Sequence, residues 1–179
     1  DNTALMTEML SIIEHRRPDS YSVFSHGDFC LGHRRLSIID LSTGNQPIFN
    51  EDKTVCVVFN GEIYNYKELR PGLEARGHVF KSHTDTEVIL HLYEELGPAC
   101  VQQLRGMFAF AVWDARRQEL FLARDRAGKK PLSYAIVDGS LIFASELKSL
   151  LKDPALRPDV DPEALHHYLT YQYVPGPQT

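Results

Sequence analysis

The chain has 179 residues, of which 43% are hydrophobic, and a formal net charge of -5 at pH 7. This length and composition exclude a disordered segment and are typical of one domain with the beginning of a second. The net negative charge and the lack of a cluster of basic residues argue against nucleic-acid binding. No apolar run reaches the roughly 20 residues of a membrane helix. We therefore expect a cytoplasmic protein that binds neither nucleic acid nor a membrane.

The cysteines and histidines form no recognisable ligand pattern. Cys30, Cys56 and Cys100 are odd in number and lie in apolar or strand-like surroundings, which favours reduced core thiols over disulfides. His166 and His167 are adjacent on a predicted helix and so face different ways. The sequence predicts no metal site.

The first third of the chain predicts a helix followed by strands. Leu5 and Met9 share one face of a helix over residues 3–14, and Pro18 lies in the polar turn that ends it. A strand is predicted over 29–39, and "TVCVVF" predicts another over 54–59.

Asn60 and Gly61 follow the strand 54–59 directly. An Asn-Gly pair predicts a tight turn, since both residues accept backbone angles that others avoid. The same pair also offers a side-chain amide and an unhindered backbone N–H, the two kinds of donor that stabilise an oxyanion. Both interpretations remain open from the dipeptide alone.

Two helices are predicted in the middle of the chain. The first begins near Asn65 and is bent or shortened at Pro71. The second begins at residues 84–87, which match a capping box, and ends at Gly97.

The second half predicts an antiparallel meander and then a last helix. "GMFAFAVWD" is apolar on both faces, so we expect its strand to lie between another sheet and a helical layer. The predicted strands are 107–113, 120–124, 131–137 and 141–144, with hairpin connections at 114–118 and 138–139 and a final helix over 164–171.

Three polar features predict a pocket for a small zwitterion. The planar guanidinium group of Arg35 is suited to donate two hydrogen bonds to a carboxylate. The carboxylate of Asp85, at a helix start, is suited to bind an ammonium group. Alone, each is better explained by a surface ion pair or by helix-end charge matching. Together with the Asn60 and Gly61 donors, they describe a site for an amino acid with a side-chain amide.

Seven ordered blocks resemble the glutamine amidotransferase domain of glutamine-hydrolysing asparagine synthetases. They are "HRRPDS", "LGHRRLSIIDLSTGNQPIFNED", "FNGEIYN", "SHTDTEVI", "LRGMFAFAVWD", "LFLARDRAGKKPL" and "FASELKSLL". The resemblance implies a class II amidotransferase with the N-terminal-nucleophile hydrolase fold. This α+β fold is a four-layer αββα sandwich of two antiparallel sheets, and the present chain would lack its first strand.

The resemblance also assigns roles. Arg35 would hold the glutamine α-carboxylate and Asp85 its α-ammonium group, while Asn60 and Gly61 would form the oxyanion hole and Glu62 would lie close to the substrate. The nucleophile would be a cysteine at the mature N-terminus, with its own α-amino group as base.

The chain departs from the family pattern at several positions. The Met-Cys-Gly start is not among these residues, so the nucleophile is unknown and would lie upstream of Asp1. Arg17 and Ser22 replace glycines, and Ser133 replaces a tyrosine. Arg17 in a glycine position predicts a reshaped turn.

By the same resemblance, residues 1–153 would be the glutaminase domain, and 154–179 a linker and the start of a synthetase domain. The chain itself would bind glutamine and no cofactor, whereas the missing synthetase domain would bind ATP and Mg²⁺ and amidate aspartate or a related carboxylate. A homodimer is left open.

Two other functions remain as alternatives. The first is a catalytically silent domain that binds glutamine or acts as a scaffold, which the departures favour. The second is another class II amidotransferase, such as a sugar-phosphate or purine-pathway enzyme, which "RRLSIIDLSTGNQPIFNED" fits less well.

Overall fold

A computed structural model describes residues 2–16, 20–35 and 45–176 of the chain. Its helices are α1 (Asn2–Ser11), α2 (Tyr66–Glu74), α3 (Thr86–Leu96), α4 (Leu147–Leu150) and α5 (Pro162–Tyr171), with 3-10 turns at Glu14–Arg16 and Gly97–Gln102. Its strands are β1 (Ser20–His26), β2 (Phe29–Arg35), β3 (Ile48–Phe49), β4 (Val55–Ile63), β5 (Gly106–Asp114), β6 (Glu119–Arg124), β7 (Ser133–Val137) and β8 (Ser140–Ala144).

The central sheet has the antiparallel order β3-β4-β5-β6. The predicted strands are confirmed within the described residues, and residues 36–39 of the predicted strand 29–39 lie outside them. The predicted turn at Asn60 and Gly61 is wrong, because β4 continues without interruption to Ile63. Asn60 pairs with Ala109 and Gly61 with Phe108, so sheet pairing outweighs the local turn preference.

Two glycines allow β4 and β5 to approach closely at this end of the sheet. A Cβ on Gly61 would lie 2.1 Å from the carbonyl oxygen of Met107, and one on Gly106 would lie 2.1 Å from the carbonyl oxygen of Glu62. Neither position has room for a side chain. The glycine of the Asn-Gly pair is therefore required by strand contact and not by a turn.

The two faces of the central sheet are both buried, as the sequence predicts. On β4, side chains alternate between the faces, since successive residues of a strand point in opposite directions. One face packs against α2 and α3 in a cluster that includes Val57, Phe59, Leu73, Ile89 and Phe110. The other packs against β1, β2 and β8 in a cluster that includes Leu31, Cys56, Val58, Ala111 and Trp113.

The remaining elements complete four layers. β1 pairs with β2, and β7 with β8, as two antiparallel hairpins on the second face of the central sheet. α1 and α4 cover these hairpins, and the Ser149 hydroxyl joins the two helices by donating to the Met9 carbonyl at 3.1 Å. The predicted αββα sandwich is confirmed. The strands β2 and β8 both border one cleft and do not pair with each other.

The helices differ from the predictions in detail. α2 runs three residues beyond Pro71, so the proline does not end it. α3 begins after Asp85, and the Asp85 side chain makes no capping hydrogen bond. The Glu87 side chain contacts residues that precede Thr84 in the chain. The Glu87 carboxylate instead accepts the backbone N–H groups of Lys81 and Ser82 at 2.7 and 2.8 Å. The predicted capping box is therefore wrong.

Among the described residues, no helix is both long and apolar enough to cross a membrane. The final helix, α5, has no buried residue.

The glycine contact between β4 and β5 generates a test of stability. We expect Gly106→Ala to lower the free energy of unfolding by about 1–3 kcal/mol, because the added methyl group overpacks a strand contact. Urea denaturation measures the change. Gly72→Ala in α2 is the control, since the nearest atom to its Cβ is 3.9 Å away on the flexible Arg76 side chain. It should be neutral or stabilise by about 0.5–1 kcal/mol, and equal effects of the two substitutions would refute the contact.

Candidate active site

The backbone N–H of Gly61 faces the edge of β4 that lies away from β5. The Phe108 N–H donates to Oδ2 of Asp125 at 3.2 Å, and the Phe108 carbonyl accepts from the Asp125 N–H at 2.8 Å. Phe108 thus directs both backbone groups away from β4. Its partner Gly61 is in a non-hydrogen-bonded pair, and in such pairs the backbone groups of both strands point outward.

The neighbouring N–H groups on this edge have side-chain acceptors. The Phe59 N–H donates to Oε1 of Gln46 at 2.6 Å, and the Ile63 N–H donates to Oδ2 of Asp85 at 2.8 Å. Gly61 lies between these two positions. Residues two apart in a strand are about 7 Å apart, so the Asp85 carboxylate and the Gly61 N–H lie on the same edge at a spacing that a small molecule can bridge.

Asp85 is a buried carboxylate, with 7% of the residue exposed. Burial raises its pKa, and the negative charge of Glu62 raises it further, whereas the hydrogen bond from Ile63 lowers it. We expected the start of α3 to favour the ionised form. Instead, loss of solvation has the larger effect on this pKa and disfavours the ionised form. A cation next to the carboxylate would stabilise its ionised form.

The Asn60 side chain projects from the other face of β4 into the cleft between the two sheets. It continues the row of Cys56 and Val58, where the apolar packing of that face gives way to a polar group. Across the sheet, Ala109 and Ala111 are small and leave space beside it. The cleft has a cavity volume of about 120 Å³.

The arginine of β2 that the structure describes in the cleft is Arg34. Its side chain is 8% exposed, its Nε donates to the Leu10 carbonyl at 2.7 Å, and Nη1 lies 3.5 Å from Glu14. Arg35 ends β2 opposite Ser20, and its side chain lies outside the described residues. Its assignment to a substrate carboxylate therefore stays a prediction.

The structure brings together four of the five predicted site residues. Asn60, Gly61 and Glu62 are consecutive on β4, and Asp85 contacts the same strand one residue further on. Glu62 is exposed, and its charge acts on Asp85. Their placement agrees with a common site, whereas their individual roles stay predictions.

Three further residues shape this edge, and none of them was predicted from the sequence as a site residue. Gln46 accepts from Phe59, and Ser22 donates its hydroxyl to the Gln46 carbonyl. His33 donates from Nε2 to the Phe59 carbonyl at 3.2 Å. No local motif signals these contacts, because each joins β4 to a segment far away in the chain.

The cysteines of the described residues do not supply a reactive thiolate at this site. Burial raises the pKa of Cys56 to about 12 and that of Cys100 to about 11. Cys30 lies on β2 beside the Ser25 hydroxyl, at 3.4 Å, and is not among the residues that line the cleft.

The turn after β6 does not fit a nucleotide phosphate. The Asp125 carboxylate accepts the backbone N–H groups of Lys129 and Lys130 at 2.9 and 3.0 Å, and these bonds lower its pKa. Arg124 donates to the Gly128 carbonyl at 2.7 Å. The backbone N–H groups of Lys129 and Lys130 are thus bound within the turn and do not face a phosphate.

The chain is similar to a known domain family and to named proteins. Residues 1–179 match the model of a family described as glutamine amidotransferase domain. The chain is 45% identical to asparagine synthetase (glutamine-hydrolyzing) 1 of Bacillus subtilis (strain 168) over 179 residues, which are 100% of this chain and 28% of that protein. It is 47% identical to asparagine synthetase (glutamine-hydrolyzing) 2 of Arabidopsis thaliana over 147 residues, 82% of this chain and 25% of that protein. The chain thus spans little more than a quarter of the length of these relatives.

Two solved structures are similar in fold. One is the glutamine phosphoribosylpyrophosphate amidotransferase from B. subtilis complexed with ADP and GMP, with a TM-score of 0.58, 25% identity, and coverage of 68% of this chain and 28% of that one. The other is described as the allosteric regulatory enzyme of purine biosynthesis, with a TM-score of 0.67, 21% identity, and coverage of 83% and 40%. The second shows the fold alone.

The bond between Asp85 and Ile63 generates a test with two substitutions. Asp85→Ala leaves a buried N–H without its acceptor, so we expect the free energy of unfolding to fall by about 1–3 kcal/mol. Asp85→Asn keeps an acceptor and removes the buried charge, so at pH 7 it should be at least as stable as the wild type. Chemical denaturation of both variants measures the difference.

The pH dependence follows from the raised pKa of Asp85. The folded chain holds the Asp85 proton more tightly than the unfolded chain, so ionisation of this group destabilises the fold above its folded pKa. The stability gap between Asp85→Asn and the wild type should therefore shrink as the pH falls through that pKa. A gap that widens on acidification would contradict this account.

Proposed function

Because the chain belongs to the glutamine amidotransferase domain family, we propose that it is the glutaminase domain of an asparagine-synthetase-like enzyme. Its reaction is the hydrolysis of glutamine to glutamate and ammonia. The observation that carries the proposal is the edge of β4, where the Gly61 N–H lies two residues before the Ile63 N–H that binds the buried Asp85 carboxylate, and directly after Asn60 in the strand. A free amino acid with a side-chain amide matches these groups.

The donors of β4 act on the carbonyl of the glutamine side chain. When a nucleophile adds to this carbon, the oxygen gains negative charge, and the Asn60 amide and the Gly61 N–H stabilise it. The strand pairing fixes Gly61 before the reaction, so little reorganisation is needed as the charge develops. The carbonyl then re-forms and ammonia leaves.

The charged residues hold the other end of the substrate. Asp85 binds the α-ammonium group, and this positive charge stabilises the ionised form of the buried carboxylate. Arg35 binds the α-carboxylate through its planar fork, and Glu62 lies beside the bound substrate. The two ends together select a free amino acid over a peptide, because a peptide lacks these terminal charges.

We place the nucleophile on a cysteine that precedes Asp1 in the complete protein. The thiol adds to the amide carbon, ammonia departs, and water then hydrolyses the thioester to release glutamate, with the α-amino group of that cysteine as base. The raised pKa values of Cys56 and Cys100 support this assignment, since neither thiol ionises readily near neutral pH.

A C-terminal synthetase domain would consume the ammonia. In this proposal it follows the glutaminase domain of residues 1–153, with 154–179 as linker and first segment, and it binds ATP and Mg²⁺. The length of the named relatives supports it, and so does the apolar surface of α5. Its exposed apolar residues are Leu165, Tyr168, Leu169 and Tyr171. We propose that this face packs against the synthetase domain.

The acceptor of the ammonia is aspartate in this proposal, since the named relatives at 45% and 47% identity are asparagine synthetases. We also propose a cytoplasmic location, which the unpaired thiols of Cys30, Cys56 and Cys100 support. The homodimer stays a prediction.

Substitution of Asn60 tests the oxyanion role. In the complete enzyme, Asn60→Ala should lower kcat for glutamine hydrolysis by about 10²–10³-fold, the usual cost of one lost donor. KM should change little, because the charged residues still bind glutamine. Steady-state glutaminase assays measure both constants.

Synthesis from free ammonia is the control for Asn60→Ala, since it bypasses the glutaminase step and should stay at the wild-type rate. Asn60→Asp keeps the shape and removes the donor, so it should lose as much activity as Asn60→Ala. Unchanged glutamine hydrolysis in either variant would exclude Asn60 from the oxyanion hole.

Labelling tests the position of the nucleophile. An electrophilic glutamine analogue should modify one cysteine of the complete protein, and peptide mass spectrometry should place the label before Asp1, with excess glutamine protecting it. Label on Cys30, Cys56 or Cys100 would contradict the assignment. Absence of any glutamine-protected label would favour the catalytically silent alternative.

A further inference from the structure

Two histidines and a glutamate converge on the helical side of the central sheet, away from the proposed glutaminase residues. Glu51 follows β3, His78 follows α2, and His91 lies in the middle of α3. One ring nitrogen of each histidine and one oxygen of Glu51 all lie within 4.8 Å of one another. The two ring centroids are 4.6 Å apart.

Each histidine is oriented by a carboxylate through one of its ring nitrogens. Nδ1 of His91 lies 2.9 Å from Oε2 of Glu94, and Nε2 of His78 lies 2.9 Å from Oε1 of Glu95. Histidines that bind metals usually donate their second N–H to a carboxylate in this way, which fixes the tautomer. The lone pairs left for a ligand are therefore on Nε2 of His91 and on Nδ1 of His78.

Nε2 of His91 is buried and has no hydrogen-bond partner among the described residues. The residue is 1% exposed, and the nearest carboxylate oxygen, Oε1 of Glu87, is 4.0 Å away and already accepts the Lys81 N–H. A buried polar atom without a partner is costly and calls for an explanation. A metal ion would satisfy this lone pair.

The surroundings suit a divalent cation. Glu94 is held in place by the Asn50 amide, which donates to Oε1 at 2.8 Å, and its Oε2 lies 3.6 Å from Nδ1 of His78. Glu51 accepts the backbone N–H of Val79 at 3.0 Å and is exposed, so its side chain is free to adjust to a metal ion. Four carboxylates thus lie around the two imidazoles, those of Glu51, Glu87, Glu94 and Glu95.

We propose that Glu51, His78 and His91 bind one Zn²⁺ ion, with water as the fourth ligand. Two imidazole nitrogens and one carboxylate oxygen form a ligand set that zinc accepts at about 2.0–2.2 Å. The ion joins the β3–β4 turn, the segment after α2, and α3. It is a structural site for this layer and takes no part in the proposed glutaminase chemistry.

The test uses the complete protein after treatment with a chelator. Calorimetric titration with Zn²⁺ should show one site per chain that disappears or weakens at least 10-fold in Glu51→Gln and in His78→Gln. Glu95→Gln removes an outer carboxylate and should weaken binding by about 10–100-fold. The exposed His166→Gln on α5 is the matched control and should bind Zn²⁺ as the wild type does.

Two further measurements guard against misinterpretation. Zn²⁺ should raise the melting temperature of the wild type and of His166→Gln but not of Glu51→Gln, which has no buried group to lose. A Co²⁺ complex should show no thiolate charge-transfer band, which separates this site from any cysteine site. Absence of the site in the wild type, wild-type affinity in Glu51→Gln and His78→Gln, or a thiolate band would each overturn the proposal.

Discussion

The pairing of β4 with β5 is the constraint on which the site depends. Its uninterrupted register, from Val55 to Ile63, decides which face each side chain of β4 occupies and which edge each backbone group faces. Gly61 and Gly106 make the close end of this pairing sterically feasible. A shift of one residue would exchange the two faces and move Asn60 from the inter-sheet cleft to the helical side.

The same strand connects the fold with its chemistry. The face of β4 toward the second sheet is apolar up to Val58 and becomes polar at Asn60, so the proposed oxyanion donor lies where the core ends. The start of α3 is attached to the strand by the Asp85–Ile63 hydrogen bond. Burial of the Asp85 carboxylate costs solvation free energy, and a bound ammonium group would offset that cost.

Apolar periodicity within short segments predicted most strands, most helices and the two covered faces of the central sheet. The four layers were predicted from the family resemblance, and β1 and β3 were not predicted. The Asn60-Gly61 turn was predicted wrongly, since local preference says nothing about the nine-residue pairing partner that overrides it. The capping-box prediction was wrong for a related reason. The Glu87 carboxylate accepts the backbone N–H groups of Lys81 and Ser82 and not the N–H group at the helix start.

Contacts between distant segments could not be predicted at all. Gln46 is tied to Phe59 only through the fold, and nothing in the spacing of Glu51, His78 and His91 resembles a metal motif, because each belongs to a different element. The resemblance to a known family assigned Arg35, Asp85 and the Asn60-Gly61 pair to one site, and their roles stay predictions. It carried no information on the burial that raises the pKa of Asp85.

A crystal structure of the complete protein with bound glutamine tests the central claim most directly. The account predicts that the side-chain carbonyl oxygen lies within hydrogen-bond distance of both the Asn60 amide and the Gly61 N–H, with the α-ammonium group against Asp85. Glutamine bound elsewhere, or bound at this edge with its carbonyl turned away from β4, would contradict it.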